Sequence, residues 1–235
     1  MRAGRAGPGR GGGFSGTRRW ARIGHDRPGA GMVHRNSEDE SDMPDTLWRA
    51  SLVLALYRNR HVAQSRYLQL ATIRADGRPA NRTVVFRGFL GDSLSIMVVT
   101  DTRSAKAREL DAAPWAEACW YFPMTREQFR LGGRAVVVRE DPGDEMTRQA
   151  RRDAWRTLAE ATRQSFTWPV PGEPRDPAAA FAEAEPDPET PPATFGLIVL
   201  DPIEVDHLEL DGNPQNRWAY RRDDDGQWVG WEINP

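Results

Sequence analysis

The chain has 235 residues, of which 39% are hydrophobic, and this size suits one globular domain with tails. Its formal net charge of −2 gives no global electrostatic case for binding nucleic acid or a membrane surface. The single cysteine excludes an internal disulfide framework and a cysteine-cluster metal site, and no apolar run is long enough to span a membrane. Because no apolar segment follows the N-terminal arginines, a secretory signal is disfavoured and a cytoplasmic protein is expected.

Residues 1–45 have a composition of their own. Ten of the 21 glycines lie between Gly4 and Gly31, and the arginine-rich start gives way to the acidic run SEDESDMPD. Such a segment cannot bury a core, so we predict a disordered tail over 1–45 and a folded domain over 46–235. Three interpretations of the tail stay open: an RNA-binding arm, an arginine-rich transit peptide, or codons upstream of a true start at Met32 or Met43.

The predicted domain opens with a helix and continues with strands. LWRASLVLALYRNR places its apolar residues at the spacing of an amphipathic helix. Short β-branched or aromatic runs, separated by turn residues, then predict five strands: YLQLATI, RTVVFRGF, LSIMVVT, WAEACWYF and FRLGGRAVVV. In WAEACWYF the even-numbered residues from Ala116 to Phe122 alternate onto one face, which should pack the core. Cys119 in the same run is interpreted as a small buried hydrophobe.

Helices and irregular segments interrupt and follow these strands. DTRSAKARELDAA favours a helix that Thr102 or Ser104 can cap, and PGDEMTRQARRDAWRTLAEATRQS favours a second helix that begins near Pro142. Eight prolines within 169–192 predict a surface excursion with one short helical turn. FGLIVLDP, IEVDHLEL and a hairpin at 224–226 return to strands. Many short strands with few helices predict a mainly β fold, an antiparallel barrel with flanking helices.

The common catalytic constellations are missing from the sequence. The four histidines show no metal-ligand spacing, and there is no Gly-x-Ser-x-Gly, P-loop or Gly-x-Gly-x-x-Gly motif. The acidic run at 223–225 is typical of a solvated turn. We therefore predict no catalytic side chain and no metal site.

An anion site has more support. Lysine and arginine total 32 residues, yet Lys106 is the only lysine. It lies with Thr100 and Ser104 around a predicted helix start, where free N–H groups and the helix dipole favour a phosphate. A lysine supplies a compact charge with three rotatable donors, which the planar fork of arginine does not reproduce. Arg82 and Arg87 share a strand, but strict alternation puts them on opposite faces. A bulge, or contacts to different parts of one ligand, would reconcile this with a shared site. A lone solvated lysine is the alternative interpretation.

The sequence resembles the FMN-binding split barrel of pyridoxamine 5′-phosphate oxidase-like proteins in four segments: NRTVVFRGF, TDTRSAK, WAEACWYFPMTREQFRLGGRA and NRWAYRRDDDGQWVGWEINP. The resemblance is strongest to the subgroup with ANRTVVFRGF and CWYFPxTREQFRL. It covers roughly residues 48–235 and is interrupted by a Pro-rich insertion at about 169–192. It implies a six-stranded antiparallel split β-barrel, FMN as the cofactor, and a homodimer with FMN at the subunit interface.

The resemblance assigns flavin contacts to particular residues. The family's Arg-x-x-x-x-Lys strand falls on 82–87, with Arg87 in place of lysine. Its Ser-Arg-Lys phosphate clamp falls on 104–106, with Ala105 in place of arginine, and Arg103 is close enough to substitute. The implied cofactor-binding residues are Arg82, Thr83, Val84, Val85, Arg87, Val99, Thr100, Arg103, Ser104, Lys106, Gln128 at the flavin edge, and Arg217 before the final hairpin.

The departures from the family concern the substrate side. Pyridoxal-phosphate-forming oxidases carry an Arg-x-His before the late arginine, where this chain has DGNPQNR. Leu208 replaces the flavin-edge tryptophan, and Arg163 matches only one substrate-phosphate arginine. We therefore expect an FMN flavoprotein that acts as an oxidoreductase on an unknown small molecule. Three further possibilities stay open: a non-catalytic flavin-binding protein, a split barrel that holds F420 or haem, and a true pyridoxine/pyridoxamine 5′-phosphate oxidase.

Overall fold

The structure is a computed structural model, and it describes residues 47–140, 143–181 and 186–235. The tail predicted over 1–45 lies outside these residues. Within them, none of the helices is both long and apolar enough to cross a membrane.

Four helices and eight strands make up the described part of the chain. The helices are α1 (Leu47–Arg58), α2 (Ala105–Ala112), α3 (Glu145–Arg156) and α4 (Glu160–Gln164). The strands are β1 (Tyr67–Ile73), β2 (Pro79–Phe89), β3 (Ile96–Asp101), β4 (Trp115–Phe122), β5 (Glu127–Val138), β6 (Phe195–Glu209), β7 (Asn216–Arg222) and β8 (Trp228–Glu232).

Six of the strands close into an antiparallel barrel. The strand order is β3-β2-β1-β4-β5-β6, and β3 pairs back onto the first half of β6. The second half of β6 pairs with β7, which pairs with β8, so a hairpin extends the sheet beyond the barrel. The mainly β, six-stranded antiparallel barrel expected from the sequence is confirmed.

Alternation along each strand fills the barrel. In β4 the even-numbered residues from Ala116 to Phe122 are buried, as the sequence predicts. Trp120 packs against Phe86 and Phe122 in this core, and α1 adds Trp48 and Leu52 to the same cluster. Burying a large aromatic or aliphatic side chain contributes about 1.5–3 kcal/mol, so this cluster is a principal source of the barrel's stability.

A second apolar cluster lies outside the barrel. Trp155 of α3 packs edge-on against Phe166 and Phe195, with ring centroids 5.8 and 5.0 Å away. The buried Arg151 donates to the carbonyls of Pro192 and Phe195, which ties α3 to the chain entering β6. This cluster fixes the position of the segment that leads from α4 into the Pro-rich region.

A bulge at Gly132 and Gly133 bends β5 along β6. A Cβ on Gly133 would lie 2.0 Å from the carbonyl oxygen of Asp201, so only glycine allows this approach. The bend allows the first half of β6 to pair with β3 in the barrel and the second half to pair with β7 in the hairpin.

Three sequence predictions are corrected here. The helix predicted over 142–165 is two helices, because the chain turns at 157–159, where the Thr157 hydroxyl donates to the Ala154 carbonyl. The two strands predicted in 195–210 are one continuous β6. Cys119 is half-buried on the outward face of β4, because alternation puts the even-numbered residues inside.

Candidate functional site

A cavity of about 440 Å³ opens beside the start of α2. One wall comes from the end of β3 and from α2, and the other comes from the segment after α4. The lining residues are Val99, Thr100, Asp101, Lys106, Ser165, Phe166, Trp168, Pro169, Val170, Pro171, Gly172, Glu173, Pro174, Arg175, Asp176 and Phe181. Its volume lies within the range of small-molecule sites, about 300–1,000 Å³.

Lys106 brings a positive charge to this cavity. Its side chain is half-buried, and among the described residues it has no hydrogen-bond or ion-pair partner. Burial lowers the pKa of Lys106, and the nearby Arg82 lowers it further. The carboxylates of Asp101 and Glu109 act in the opposite direction, but neither forms a direct ion pair with Lys106. A partly desolvated cation without a direct ion pair favours an anionic ligand, because such a ligand would restore the stabilisation that water no longer provides.

Two buried hydroxyls lie beside Lys106. The Thr100 and Ser104 oxygens are 3.1 Å apart, and both residues are buried. Ser104 occupies the N-cap position of α2, but its hydroxyl bonds to Thr100 instead of capping the helix. The first N–H groups of a helix lack intrahelical partners, so this end of α2 offers donors to an anion.

Arg82 approaches from β2 and is already paired. It donates to the Thr72 hydroxyl and to a carboxylate oxygen of Glu109, the latter at 2.8 Å. Burial acts to raise the pKa of Glu109, but hydrogen bonds from Thr72 and Arg82 together hold it below its usual range. Arg82 therefore adds positive potential near Lys106 while its own guanidinium bridges β1, β2 and α2.

Arg103 binds protein groups, whereas the sequence analysis expected it to replace the missing arginine of the phosphate clamp. Its guanidinium contacts both carboxylate oxygens of Asp101, at 3.0 and 2.7 Å, and donates to the Trp168 carbonyl at 2.9 Å. The hydrogen bonds that it donates to Asp101 raise the pKa of Arg103. The residue expected to replace the missing clamp arginine is thus committed to a carboxylate and to the far wall of the cavity.

The other predicted cofactor-binding residues of β2 and β3 lie on different faces of the sheet. Val84 is buried in the barrel, whereas Thr83 is exposed and Val85 half-buried on the outer side. Val99 lies on β3 and lines the Lys106 cavity. Arg87 follows the inner-facing Phe86 at a bulge, and it lines a second cavity of about 400 Å³ against α3. The bulge does not bring Arg87 to the cavity of Lys106.

Gln128 and Arg217 lie elsewhere in the chain. Gln128 pairs with Leu208, and Leu208 pairs with Arg217, so the three form a row across β5, β6 and β7. Arg217 is bound to Asp206 at 2.8 Å. The other end of β5 pairs with the part of β6 that contacts β3. Since β5 has 12 residues, its two ends are about 35 Å apart along the strand.

Arg163 lies in α4, just before the wall residue Ser165. Its Nη1 donates to the Leu158 carbonyl at 2.5 Å, and its buried Nε has no partner among the described residues. It does not line the Lys106 cavity. The weak substrate role that the resemblance implies for Arg163 stays a prediction.

The Pro-rich region supplies the part of the site that the sequence did not indicate. Residues 168–176 form a wall of the Lys106 cavity, and from residue 169 onward they belong to the segment that the sequence analysis interpreted as a surface excursion. The one signal in the sequence was the pair of aromatic residues, Trp168 and Phe181, near this proline-rich run. Their rings contact each other at 5.8 Å between centroids.

One group of possible metal ligands also appears in the described residues. Glu127, His207 and Glu209 place their ligand atoms within 4.8 Å of one another. His207 Nε2 lies 3.0 Å from Glu127, and its buried Nδ1 has no partner. A metal on Nε2 would leave an N–H on Nδ1 without an acceptor, so the geometry favours Nε2–H donating to Glu127. Sequence spacing could not reveal this group, because β5 and β6 bring it together across the sheet.

Comparisons with known proteins agree with this fold. A family model described as pyridoxamine 5′-phosphate oxidase, FMN-binding domain, matches residues 45–139. Pyridoxine/pyridoxamine 5′-phosphate oxidase 2 of Arabidopsis thaliana is 38% identical over 191 residues, which cover 80% of this chain and 96% of that protein. Dihydrophenazinedicarboxylate synthase of Pseudomonas chlororaphis is 30% identical over 174 residues, 73% of this chain and 74% of that protein.

A solved structure extends the similarity to three dimensions. A pyridoxamine 5′-phosphate oxidase-related, FMN-binding protein from Nostoc punctiforme PCC 73102 is 50% identical, with a TM-score of 0.77. The match covers 80% of this chain and 98% of that one. With its closed barrel and these relatives, the chain belongs to the pyridoxamine 5′-phosphate oxidase-like family of FMN-binding split barrels.

Proposed function

We propose that this protein is an FMN-dependent oxidoreductase that acts on a small molecule. The observation that carries the proposal is the half-buried, unpartnered Lys106 in a cavity beside the start of α2. A phosphate monoester fits this chemistry, because a lysine ammonium and helix N–H groups are donors to an anion, and Thr100 lines the same cavity. Membership of an FMN-binding family supports FMN as the source of that phosphate.

Different residues of this chain would contact different parts of the cofactor. Lys106, Thr100 and Ser104 would hold its phosphate end, with Arg82 adding positive potential. Val99 would contact the chain between phosphate and ring. Bound FMN would supply the two-electron redox chemistry, and the protein would supply anchoring and orientation. No side chain is assigned a proton-transfer role.

The first test compares FMN with riboflavin, which lacks the phosphate. We expect FMN to bind more tightly, and Lys106→Ala to cost about 1.5–3 kcal/mol of FMN binding, the scale of a hydrogen bond to a charged group. Riboflavin affinity should not change in the variant. Arg78→Ala is the matched control, since Arg78 is an exposed cation in the β1–β2 turn, paired with Asp76. Equal affinity of the native protein for both flavins would contradict the phosphate assignment.

A homodimer completes the proposed site. Gln128, which the resemblance places at the flavin edge, and Arg217, which it assigns to cofactor binding, lie in the β5–β7 region at a distance from the Lys106 cavity. A second copy of the chain could bring its own Gln128 and Arg217 to that cavity. The proposed unit is therefore a dimer with FMN bound between protomers.

A second candidate function is oxidation of pyridoxine or pyridoxamine 5′-phosphate. The name of the Arabidopsis relative favours it, with identity over most of both chains. The loop before β7 weighs against it, because DGNPQNR offers amides where arginine and histidine would position the substrate. Misplacing a reacting carbon by about 1 Å can cost ~100-fold in rate. We expect hydrogen peroxide release from either substrate to be weak, and turnover near ~10 per second would establish the vitamin B6 assignment instead.

A flavin carrier and a split barrel for F420 or haem would be recognised by what the purified protein contains and turns over. The carrier would hold FMN without oxidising any reduced substrate. A barrel for F420 or haem would carry a cofactor of different mass. Identifying the bound cofactor by mass spectrometry, followed by a turnover screen that includes the B6 phosphates and reduced phenazine precursors, separates these cases.

A further inference from the structure

The wall formed by residues 168–176, here called the strap, is held by contacts at its N-terminal end. Arg103 of the β3–α2 turn donates to the Trp168 carbonyl at 2.9 Å. The Thr194 hydroxyl donates to the Phe166 carbonyl at 2.7 Å, just before the strap. The Trp168 ring also packs edge-on against Phe181. The strap is therefore a built wall of the Lys106 cavity.

Arg103 can hold the strap because Asp101 fixes its guanidinium. One edge of the Arg103 guanidinium donates two hydrogen bonds to the Asp101 carboxylate, and the guanidinium donates a third hydrogen bond to the Trp168 carbonyl. An arginine bound in this bidentate way is held in one geometry and partly neutralised. Few donors of Arg103 are left for a ligand in the cavity.

The strap carries a cation of its own, Arg175. It lines the same cavity as Lys106, and its guanidinium carbon lies 4.5 Å from the centre of the Phe181 ring. Arg175 makes no hydrogen bond or ion pair with another described residue, so its five N–H donors are available to a ligand. The cation–π contact with Phe181 uses none of those donors.

The other charges around the cavity define where an anion can bind. Asp101 is paired with Arg103, whereas Glu173 and Asp176 also line the cavity. These two carboxylates flank Arg175 in the sequence and repel an anion. Lys106 and Arg175 are the two cations among the described residues that line the cavity, so they are the side chains there that favour a phosphate.

We infer that Arg175 is a phosphate-binding residue that acts with Lys106, and that Arg103 is a positioning residue that fastens the strap. The inference rests on the proposed function, because it takes the phosphate to be that of FMN. It gives the Pro-rich region a role in cofactor selection: the strap presents an arginine that the helix start, with Ala105, does not supply.

The decisive variant is Arg175→Gln, which keeps much of the length and polarity of the side chain and removes its charge. We expect its dissociation constant for FMN to rise about 10-fold or more, with riboflavin affinity unchanged. Arg175→Lys should recover part of the loss. Arg221→Gln is the control, because Arg221 is an exposed arginine on β7 paired with Glu204, away from this cavity. A native FMN affinity in Arg175→Gln overturns the inference.

Arg103→Gln tests the positioning role with a different readout. Without the hydrogen bond from Arg103 to the Trp168 carbonyl, the strap should be cleaved faster in limited proteolysis. The affinities for FMN and for riboflavin should fall together, because the whole wall of the cavity moves. A selective loss of FMN binding without faster cleavage would make Arg103 a phosphate ligand and overturn its assignment. If the native protein binds neither flavin, the proposed function itself fails, and this outcome is distinct from native FMN binding by the Arg175 variant.

Discussion

The Lys106 ammonium lies in a half-buried cavity, and burial together with the neighbouring Arg82 lowers its pKa. The folded apoprotein therefore releases this proton at a lower pH than the unfolded chain does. Folding is disfavoured while Lys106 is charged, because the buried ammonium loses solvation. The free energy of unfolding therefore rises with pH between the lowered pKa of Lys106 in the folded protein and its pKa in the unfolded chain, about 10.4. An anion in the cavity would reverse the penalty and return the Lys106 pKa toward its ordinary value.

This coupling predicts a pH dependence of FMN binding. As the pH rises through the lowered pKa of Lys106, the amine loses its charge and FMN affinity should fall. Riboflavin affinity should show no such step, and the step should be absent from Lys106→Met. Fluorescence titrations of both flavins between neutral and alkaline pH measure this. A parallel fall for riboflavin would indicate a change in the fold instead of the loss of one charge.

At the scale of single elements, the bulge in β5 depends on the absence of a side chain at Gly133. Its close approach to the Asp201 carbonyl leaves no space for a Cβ. The neighbouring backbone belongs to β6, the strand shared by barrel and hairpin. A substitution here must move one strand relative to the other.

We therefore expect Gly133→Ala to lower the free energy of unfolding by about 3 kcal/mol, since the overlap is with backbone that cannot rotate away. Gly77→Ala is the matched comparison. Gly77 has a φ of 81° in the β1–β2 turn but nothing within 4 Å of its Cβ position, so only conformational strain of about 1 kcal/mol applies. Urea denaturation of both variants gives the difference, and equal values would show that β6 yields to the methyl group.

For the whole molecule, the barrel separates two groups of residues that one flavin would need. Lys106, Thr100 and Ser104 lie at the start of α2, and Gln128 and Arg217 lie in the row across β5, β6 and β7. The strands between them are rigid, hydrogen-bonded and closed into a barrel, so no small movement joins the groups within one chain. Association of two copies is the simpler route to a complete site.

Mixed dimers test this arrangement. Lys106→Ala and Gln128→Ala should each weaken FMN binding as separate proteins. After subunit exchange, a heterodimer would combine an intact Lys106 from one protomer with an intact Gln128 from its partner, so a fraction of tight FMN sites should appear. Two Lys106→Ala preparations mixed together are the control. If mixing restores nothing, the site lies within a single chain and the dimer proposal fails.

The sequence by itself determined the local elements and the chemistry of the helix start. Period-two alternation marked β4, because that strand buries one face, and helix-forming residues after Ser104 marked α2. The only lysine indicated the helix start as the place where we propose that a phosphate binds, since its compact charge differs from that of the surrounding arginines. Motifs between residues 81 and 235 were long enough to indicate the family and therefore the barrel.

Only the tertiary structure decided which of these residues meet. The β3–β6 pairing closes the barrel across about a hundred residues of chain, and no local pattern encodes such a contact. Arg103 was a plausible phosphate ligand until Asp101 and the Trp168 carbonyl were seen to occupy it. Because of their prolines and turn residues, residues 168–176 resemble a surface loop in the sequence. The local sequence does not encode which part of the fold this segment covers. The place of these residues over Lys106 follows from the packing of Trp155, Phe166 and Phe195, which holds Phe166, just before that segment, against the start of β6.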